Sequence, residues 1–183
     1  VLRTRTGHDF KHYKRASLLR RIERRLQIHG LPDLQQYSDY LHLHPEDTRA
    51  LLQEVLLSTT HFFRDRTAFD LLAADVLPSI FSRRDLDDPV RVWAAGCATG
   101  EEAYSLAMLL QETAASSAPQ VPFQVFATDI DDRAIDVARQ GIYTQAVIAD
   151  IDAARVKKYF VKDGANYRIR KELRERVLFA VHN

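Results

Sequence analysis

The 183-residue chain has one cysteine, one tryptophan, six glycines and six prolines, and it has no long apolar run. Cys97 has no partner to pair with, which excludes a disulfide scaffold and points to a reducing compartment, the cytoplasm. No stretch approaches the roughly 18 uninterrupted apolar residues of a membrane span, so membrane insertion is not expected. The first thirty residues are polar and basic, unlike a signal peptide. The seven histidines show no metal-ligand spacing; His42 and His44 are two apart and do not share a helix face. No metal site is expected. With 46% hydrophobic and 28% charged residues, the composition is that of a folded globular protein rather than a disordered one. The chain opens on Val1 without a methionine and closes on Asn183 directly after an apolar run, the pattern of a piece cut from a longer protein.

Neither is there a net charge of one sign: the total is only +1. The balance hides an asymmetry. Residues 1–30 carry nine Lys/Arg against two Asp/Glu, a net +7, while residues 31–183 carry seventeen against twenty-three, a net −6. A basic N-terminal module precedes an acidic body. Such a module suits a polyanionic or acidic partner; equally, it suits a solvated helix face lying on the acidic body.

Apolar residues Phe10, Tyr13, Leu18, Leu19, Ile22 and Leu26 recur at helical spacing over 7–29 and predict one helix there, stopped by Gly30 and Pro32. Further helices are expected over 34–41 and from Pro45 onward, where Leu51, Leu52, Val55 and Leu56 form the apolar stripe. The segment 58–65 breaks the helical period. Asp65 can cap a helix over 66–76, with Pro78 ending it and a loop running to Pro89. The period then changes. Val90–Ala95 and Phe123–Thr128 read as buried strands, each followed by a helical stretch, over 101–113 and 132–140. This βαβα order predicts an α/β domain with a parallel sheet. Residues 167–170 and 177–181 read as further strands.

Strand, glycine turn and helix together make a nucleotide-cofactor site. The spacing Gly96-x-x-x-Gly100 matches the dinucleotide fingerprint only in part, and Gly100 is followed by Glu101 and Glu102 rather than Lys-Ser. Two carboxylates at a helix N-terminus repel a pyrophosphate and suit an ammonium or sulfonium ligand. S-adenosylmethionine has both groups and no phosphate. The glutamates could equally serve only to complement the helix dipole. Asp129, at the carboxyl end of the second strand, can accept hydrogen bonds from ribose hydroxyls; it can also cap the next helix, although Asp131 or Asp132 is available for that. Cys97 lies in the turn with no histidine near it in sequence and reads as a small residue rather than a nucleophile.

Gly96-Cys97-Ala98-Thr99-Gly100-Glu101-Glu102-Ala103-Tyr104-Ser105, Phe126-Ala127-Thr128-Asp129-Ile130-Asp131 and Phe62-Phe63-Arg64-Asp65 resemble the signatures of the chemotaxis-receptor methyltransferases, the CheR family. Tyr13-Lys14 with Arg20-Arg21-Ile22-Glu23-Arg24-Arg25 resembles that family's N-terminal helical domain, and Tyr159-Phe160 through Tyr167-Arg168-Ile169-Arg170 its small β-subdomain. The wording of 5–10 and 179–183 is most similar to domains fused to methylesterase or sensor modules. The resemblance implies a helical domain over 1–60 and a Rossmann-like S-adenosylmethionine-dependent methyltransferase core over 61–183. That core would be truncated and interrupted by an antiparallel β-subdomain at about 156–178. It implies O-methylation of glutamate side chains on the cytoplasmic helices of chemoreceptors, without nucleic acid as partner. Carried over by position, Ser58, Thr60, Arg64, Glu101, Glu102, Asp129 and Asn183 would line the cofactor site, with Arg64 also catalytic. Arg21, Arg24 and Arg25 would face the receptor. The family more often has Asn where Ser58 stands, and it continues past Asn183 into an Asp-Leu-Ile-x-Cys-Arg-Asn stretch. The loop 162–166 is short, which favours an enzyme independent of a receptor tether peptide. Two other classes stay open: a nucleic-acid methyltransferase using the basic helix on phosphates, and a non-catalytic cofactor- or partner-binding regulatory domain.

Overall fold

A computed structural model describes residues 2–7, 10, 11, 13, 15–56, 60–85 and 87–182, with the side chain of Ser17 excepted. The chain divides into two units, Val1–Ser58 and Thr59–Asn183.

The first unit is helical: α1 Leu2–Thr6, α2 Arg15–His29, α3 Leu34–Leu43 and α4 Pro45–Leu56. The helix expected over 7–29 therefore begins only at Arg15, and α1 ahead of it was not expected. Gly7 adopts φ +77° and its N–H closes α1 on Arg3 O at 3.0 Å, so the chain turns away before α2 begins at Arg15. Gly30, at φ +63°, ends α2 as expected, with the Leu31 N–H bonded to Leu26 O at 2.9 Å. Asp33 caps α3 by accepting from the Gln36 N–H at 2.8 Å. Tyr37, Leu41, Leu51 and Val55 form the buried centre, against which Leu18, Ile22 and Leu26 of α2 pack.

The second unit opens with α5 Arg66–Leu71, a π-helical segment Leu72–Val76 and α6 Leu77–Phe81. Pro78 does not end the helix. Proline lacks an N–H and its ring crowds the carbonyl four residues back; a widened π turn immediately before it relieves that crowding, and burial of Leu77 and Phe81 favours continuing. Next come β1 Val90–Ala95, α7 Glu101–Ser117, β2 Phe123–Asp129 and α8 Asp132–Gln140. Then follow β3 Ile142–Thr144, α9 Gln145–Ile148, α10 Ala153–Tyr159, β4 Phe160–Asp163, β5 Asn166–Ile169, α11 Lys171–Arg174 and β6 Val177–Val181.

Strands β1, β2 and β6 form a parallel sheet with β2 in the middle, registered Val92↔Val125↔Val177. One face carries Val90, Ala94, Val125, Ala127 and Val177, all buried in the same core as Tyr104, Ala107 and Met108 of α7. The alternate residues Trp93, Phe126 and Leu178 are exposed on the other face. A small antiparallel sheet, ordered β3-β5-β4, lies in the chain between α8 and β6. Its first strand starts at Ile142, ahead of the 156–178 span indicated by sequence, and Val177 already belongs to the parallel sheet. The β4–β5 hairpin turns at Gly164, φ +61°. The architecture is the expected α/β class: a helical unit, a parallel sheet flanked by helices and a small antiparallel insertion.

Candidate functional site

The carboxyl ends of β1 and β2 lie side by side, and the turn leaving β1 is tied to the end of β2. The N–H groups of Gly96 and Cys97 both donate to Thr128 O, at 2.8 and 2.9 Å. The Ala98 N–H donates to Asp129 Oδ2 at 2.7 Å, and the Asp131 N–H to Asp129 Oδ1 at 2.9 Å. Asp131, not Asp129, caps α8, accepting from the Arg133 and Ala134 N–H groups at 3.0 and 3.3 Å. A carboxylate oxygen accepts more than one hydrogen bond. Asp129, half-buried, therefore braces the turn and retains capacity for ligand hydroxyls.

The turn needs its glycines. Gly100 sits at φ +96°, and a Cβ there would lie 2.9 Å from the Ala138 Cβ and 3.1 Å from the Tyr143 hydroxyl. Gly96, at φ +71°, is the reverse case: a Cβ there would meet nothing within 4 Å. That side of the turn is open space.

Glu101 and Glu102 have separated roles. Glu101 is buried, 4% exposed, and accepts from the Thr99 hydroxyl at 2.6 Å. Glu102 is exposed. Buried Cys97 has its thiol pushed up to about 12, first by burial and then by Asp129, with Glu102 and Glu101 adding to it. The thiol stays protonated at neutral pH, and no nucleophilic role is open to it there.

The segment before α5 reaches this region through its backbone. The Phe63 N–H donates to Ser105 Oγ at 3.0 Å, and Ser105 donates on to Glu101 O at 2.7 Å. Phe62 is buried edge-on against Tyr143, with ring centres 5.0 Å apart. Half-buried Thr60 and exposed Arg64 flank these anchors, so their stretch of chain is fixed to the first turns of α7. Ser58 and Asn183 lie outside the described residues. Tyr143 escaped sequence reasoning. It is buried, and its hydroxyl donates to Thr99 O at 2.8 Å. A lone tyrosine after a helix-stopping glycine carries no signal of that contact.

The basic helix belongs to the first unit. Arg20 and Arg24 are exposed and Arg21 is half-buried; with Glu54 they line an open depression of about 330 Å³. Arg25 turns inward. Its side chain is 13% exposed and pairs with Asp47, which is 4% exposed, and with Glu54 at 3.4 Å. Among the described residues no group of three or more His, Cys, Asp or Glu could hold a metal ion, and no helix is long and apolar enough to cross a membrane.

Parallel strands, a glycine turn without a cationic side chain at its centre, and an acidic residue at the second strand's end define an α/β domain built for a phosphate-free adenosyl ligand. Comparison with known proteins agrees. Residues 58–183 match the model of the CheR methyltransferase SAM-binding domain, and residues 1–56 that of the CheR methyltransferase all-alpha domain. The chain belongs to the CheR methyltransferase family. It is 32% identical to chemotaxis protein methyltransferase 2 of Pseudomonas aeruginosa, over 95% of this chain and 61% of that protein. It is also 32% identical to the chemotaxis protein methyltransferase of Escherichia coli K12, over 98% of this chain and 62% of that protein. A 104.1 kDa protein of Rhodobacter capsulatus is 36% identical over 96% of this chain, which corresponds to 18% of its own length. The chain thus spans about three fifths of the two chemotaxis methyltransferases.

Proposed function

We propose that this protein transfers a methyl group from S-adenosylmethionine to glutamate side chains on the cytoplasmic helices of chemoreceptors, in chemotaxis adaptation. The observation that carries the reading is the 2.7 Å hydrogen bond from the Ala98 N–H to Asp129, which joins glycine turn and strand end into one negatively charged corner. When bound, S-adenosylmethionine supplies a methyl group activated by its sulfonium. The residues of this chain do the rest. Asp129 receives the ribose hydroxyls. Glu102, exposed at the start of α7, pairs with the methionine ammonium, while Glu101 holds the turn through Thr99. Thr60, Ser58 and Asn183 complete the lining. Arg64 pairs bidentately with a carboxylate, that of the donor or that of the acceptor.

An acceptor glutamate is already ionised at neutral pH, so no side chain need act as a base. What the protein contributes is alignment and the removal of water around an anionic nucleophile. Residues 1–60 serve the receptor, apart from Ser58 and Thr60 at their end, and residues 61–183 the cofactor. Arg21 and Arg24 meet the acidic receptor helices, raising encounter rate and setting register. The relatives' names support the receptor as substrate, and the 104.1 kDa relative supports a fused setting with methylesterase or sensor modules.

The test is calorimetry with S-adenosylhomocysteine together with transfer of labelled methyl to receptor fragments. It is run on this chain and on one extended to the relatives' length. Binding that Asp129→Ala weakens, with label on receptor glutamates, is expected. Binding without transfer by either chain would establish the regulatory reading instead, and label on nucleic acid would establish the third.

A further inference from the structure

We infer that Arg25 is a positioning residue, a clamp inside the helical unit, and that it offers no charge to the receptor, unlike the exposed Arg24 beside it on α2. This rests on the receptor-methylating function proposed above.

The geometry sets Arg25 apart from its neighbours. Asp47 stands in the first turn of α4 and is almost fully buried. One of its oxygens, Oδ2, accepts from the Tyr37 hydroxyl of α3 at 2.7 Å. The other, Oδ1, meets Arg25 and, at 2.7 Å, Nε2 of His29, both from α2. A single carboxylate thus joins three helices, and Arg25 is the permanent cation among its partners. Glu54, a further turn and more along α4, takes the other Arg25 nitrogen at 3.4 Å.

An arginine cannot leave such a place at low cost. Withdrawing Arg25 to meet a receptor carboxylate would strand Asp47 in the interior without its cation. That penalty exceeds what an exposed ion pair with the receptor returns. The sequence spacing hides the distinction, because Arg24 and Arg25 are adjacent. Adjacent helical positions lie about 100° apart around the axis, however. The Arg24 side chain is exposed, while Arg25 lies over α4.

The clamp has a functional consequence. Arg20, Arg21 and Arg24 share one depression with Glu54, so the residue that anchors Arg25 also borders the basic surface. Fixing α2 on α4 by Arg25 and Asp47 fixes the spacing at which Arg21 and Arg24 are offered.

The experiment measures methylation of a receptor fragment by the full-length protein across a series of salt concentrations, with helical circular dichroism on each variant. Arg24→Ala should raise the KM for receptor about two- to fivefold at low salt, flatten its salt dependence and leave the melting midpoint in place. Arg25→Ala should lower the midpoint and leave the salt slope as in wild type. Should that variant fail to fold, the paired variant Arg25→Met with Asp47→Leu decides. It removes both charges together, and such replacements of a buried pair by apolar side chains are tolerated. Recovery of the midpoint with a wild-type salt slope is expected. A slope flattened in the paired variant as in Arg24→Ala would place Arg25 on the receptor and overturn the clamp. Absence of methyl transfer by the wild-type protein would instead remove the function, and the positioning role with it.

Discussion

Each unit buries an acidic residue, and the two satisfy it with different donors. In the helical unit Asp47 is matched by the guanidinium of Arg25. In the α/β unit Glu101 is matched by the hydroxyl of Thr99, and Asp129 by the backbone N–H groups of Ala98 and Asp131. A guanidinium cancels the charge it holds; a hydroxyl or an N–H orients a carboxylate and leaves its charge in place. The first arrangement makes a structural joint, with Arg20 and Arg24 of the same helix exposed. The second makes a corner whose carboxylates are held by a hydroxyl and by backbone N–H groups, which leave their charge in place for a cationic ligand.

Matched substitutions separate the two. Asp47→Ala should be the most damaging, because it leaves Arg25 in the interior without its main carboxylate; a loss of about 3–5 kcal/mol is expected. Far-UV circular dichroism reads it. The single tryptophan, Trp93, lies in the α/β unit, so its fluorescence follows that unit separately. The comparison breaks if Trp93 loses its signal together with the helices at the same midpoint.

Gly100→Ala comes next. The new Cβ would meet the Ala138 Cβ at 2.9 Å, the Tyr143 hydroxyl at 3.1 Å and the Phe179 ring at 3.2 Å, on a backbone held at φ +96°. Overpacking and the left-handed conformation together should cost about 2–4 kcal/mol. The loss should appear in Trp93 fluorescence during urea unfolding. Gly96→Ala, whose Cβ meets nothing within 4 Å, bears only the conformational part and should be milder. Equal losses at the two glycines would show that Gly100 is not the crowded position.

Asp129→Asn tests the corner itself. It keeps an acceptor oxygen for one of the two backbone donors and removes the charge. Stability should change by about 1 kcal/mol or less, while affinity for S-adenosylhomocysteine should fall about tenfold or more. The same exchange at Asp47 should reverse the pattern, with a large loss of stability and no direct effect on that ligand. If Asp129→Asn destabilised as much as Asp47→Asn, the contrast between structural and ligand-directed carboxylates would fail.

The α/β core was legible because each of its features had a local cause. The strands at Val90 and Phe123 are short apolar runs, Gly96 and Gly100 bound a turn, and Gly141 stops α8. The late start of α2 at Arg15 was not legible, because the apolar spacing already begins at Phe10, and α1 ahead of Gly7 has too few apolar residues to show a period. Nor was the passage of a helix through Pro78, where burial of Leu77 and Phe81 outweighs the preference of proline. At the site, the type and spacing of Glu101, Glu102 and Asp129 pointed to the chemistry. The division between a buried Glu101 and an exposed Glu102 depends on Thr99, and on a tyrosine forty-four residues from it. Arg25 shows the same limit. Residue type made it one of three arginines, and only the position of Asp47 on another helix turns it inward.

The smallest effect concerns pH and the joint of the helical unit. Nε2 of His29 lies 2.7 Å from Asp47 Oδ1, which on its own would favour the imidazolium. Burial opposes that first, followed by Arg25, 3.1 Å away, and His44, and the result is a pKa below 6.5. Tyr37 stacks near the ring and Tyr40 lies tilted against it, and neither brings a positive charge to the contact. The sign follows from linkage. With the folded value below the unfolded one, the unfolded chain takes up the proton first as pH falls. The helical unit is therefore at full stability above about pH 6.5. It loses stability as pH drops from there to the folded value, and the loss then levels off. Exposed Glu46, lowered by its backbone hydrogen bond and then by His44, acts in the same direction in a separate and more acidic window. The helical midpoint should thus be lower at pH 5.5 than at pH 7.5, and His29→Gln should remove most of the difference. A midpoint that rose on acidification would mean that Asp47 dominates the ring, and that His29 is a second cation of the joint rather than a neutral neighbour of Arg25.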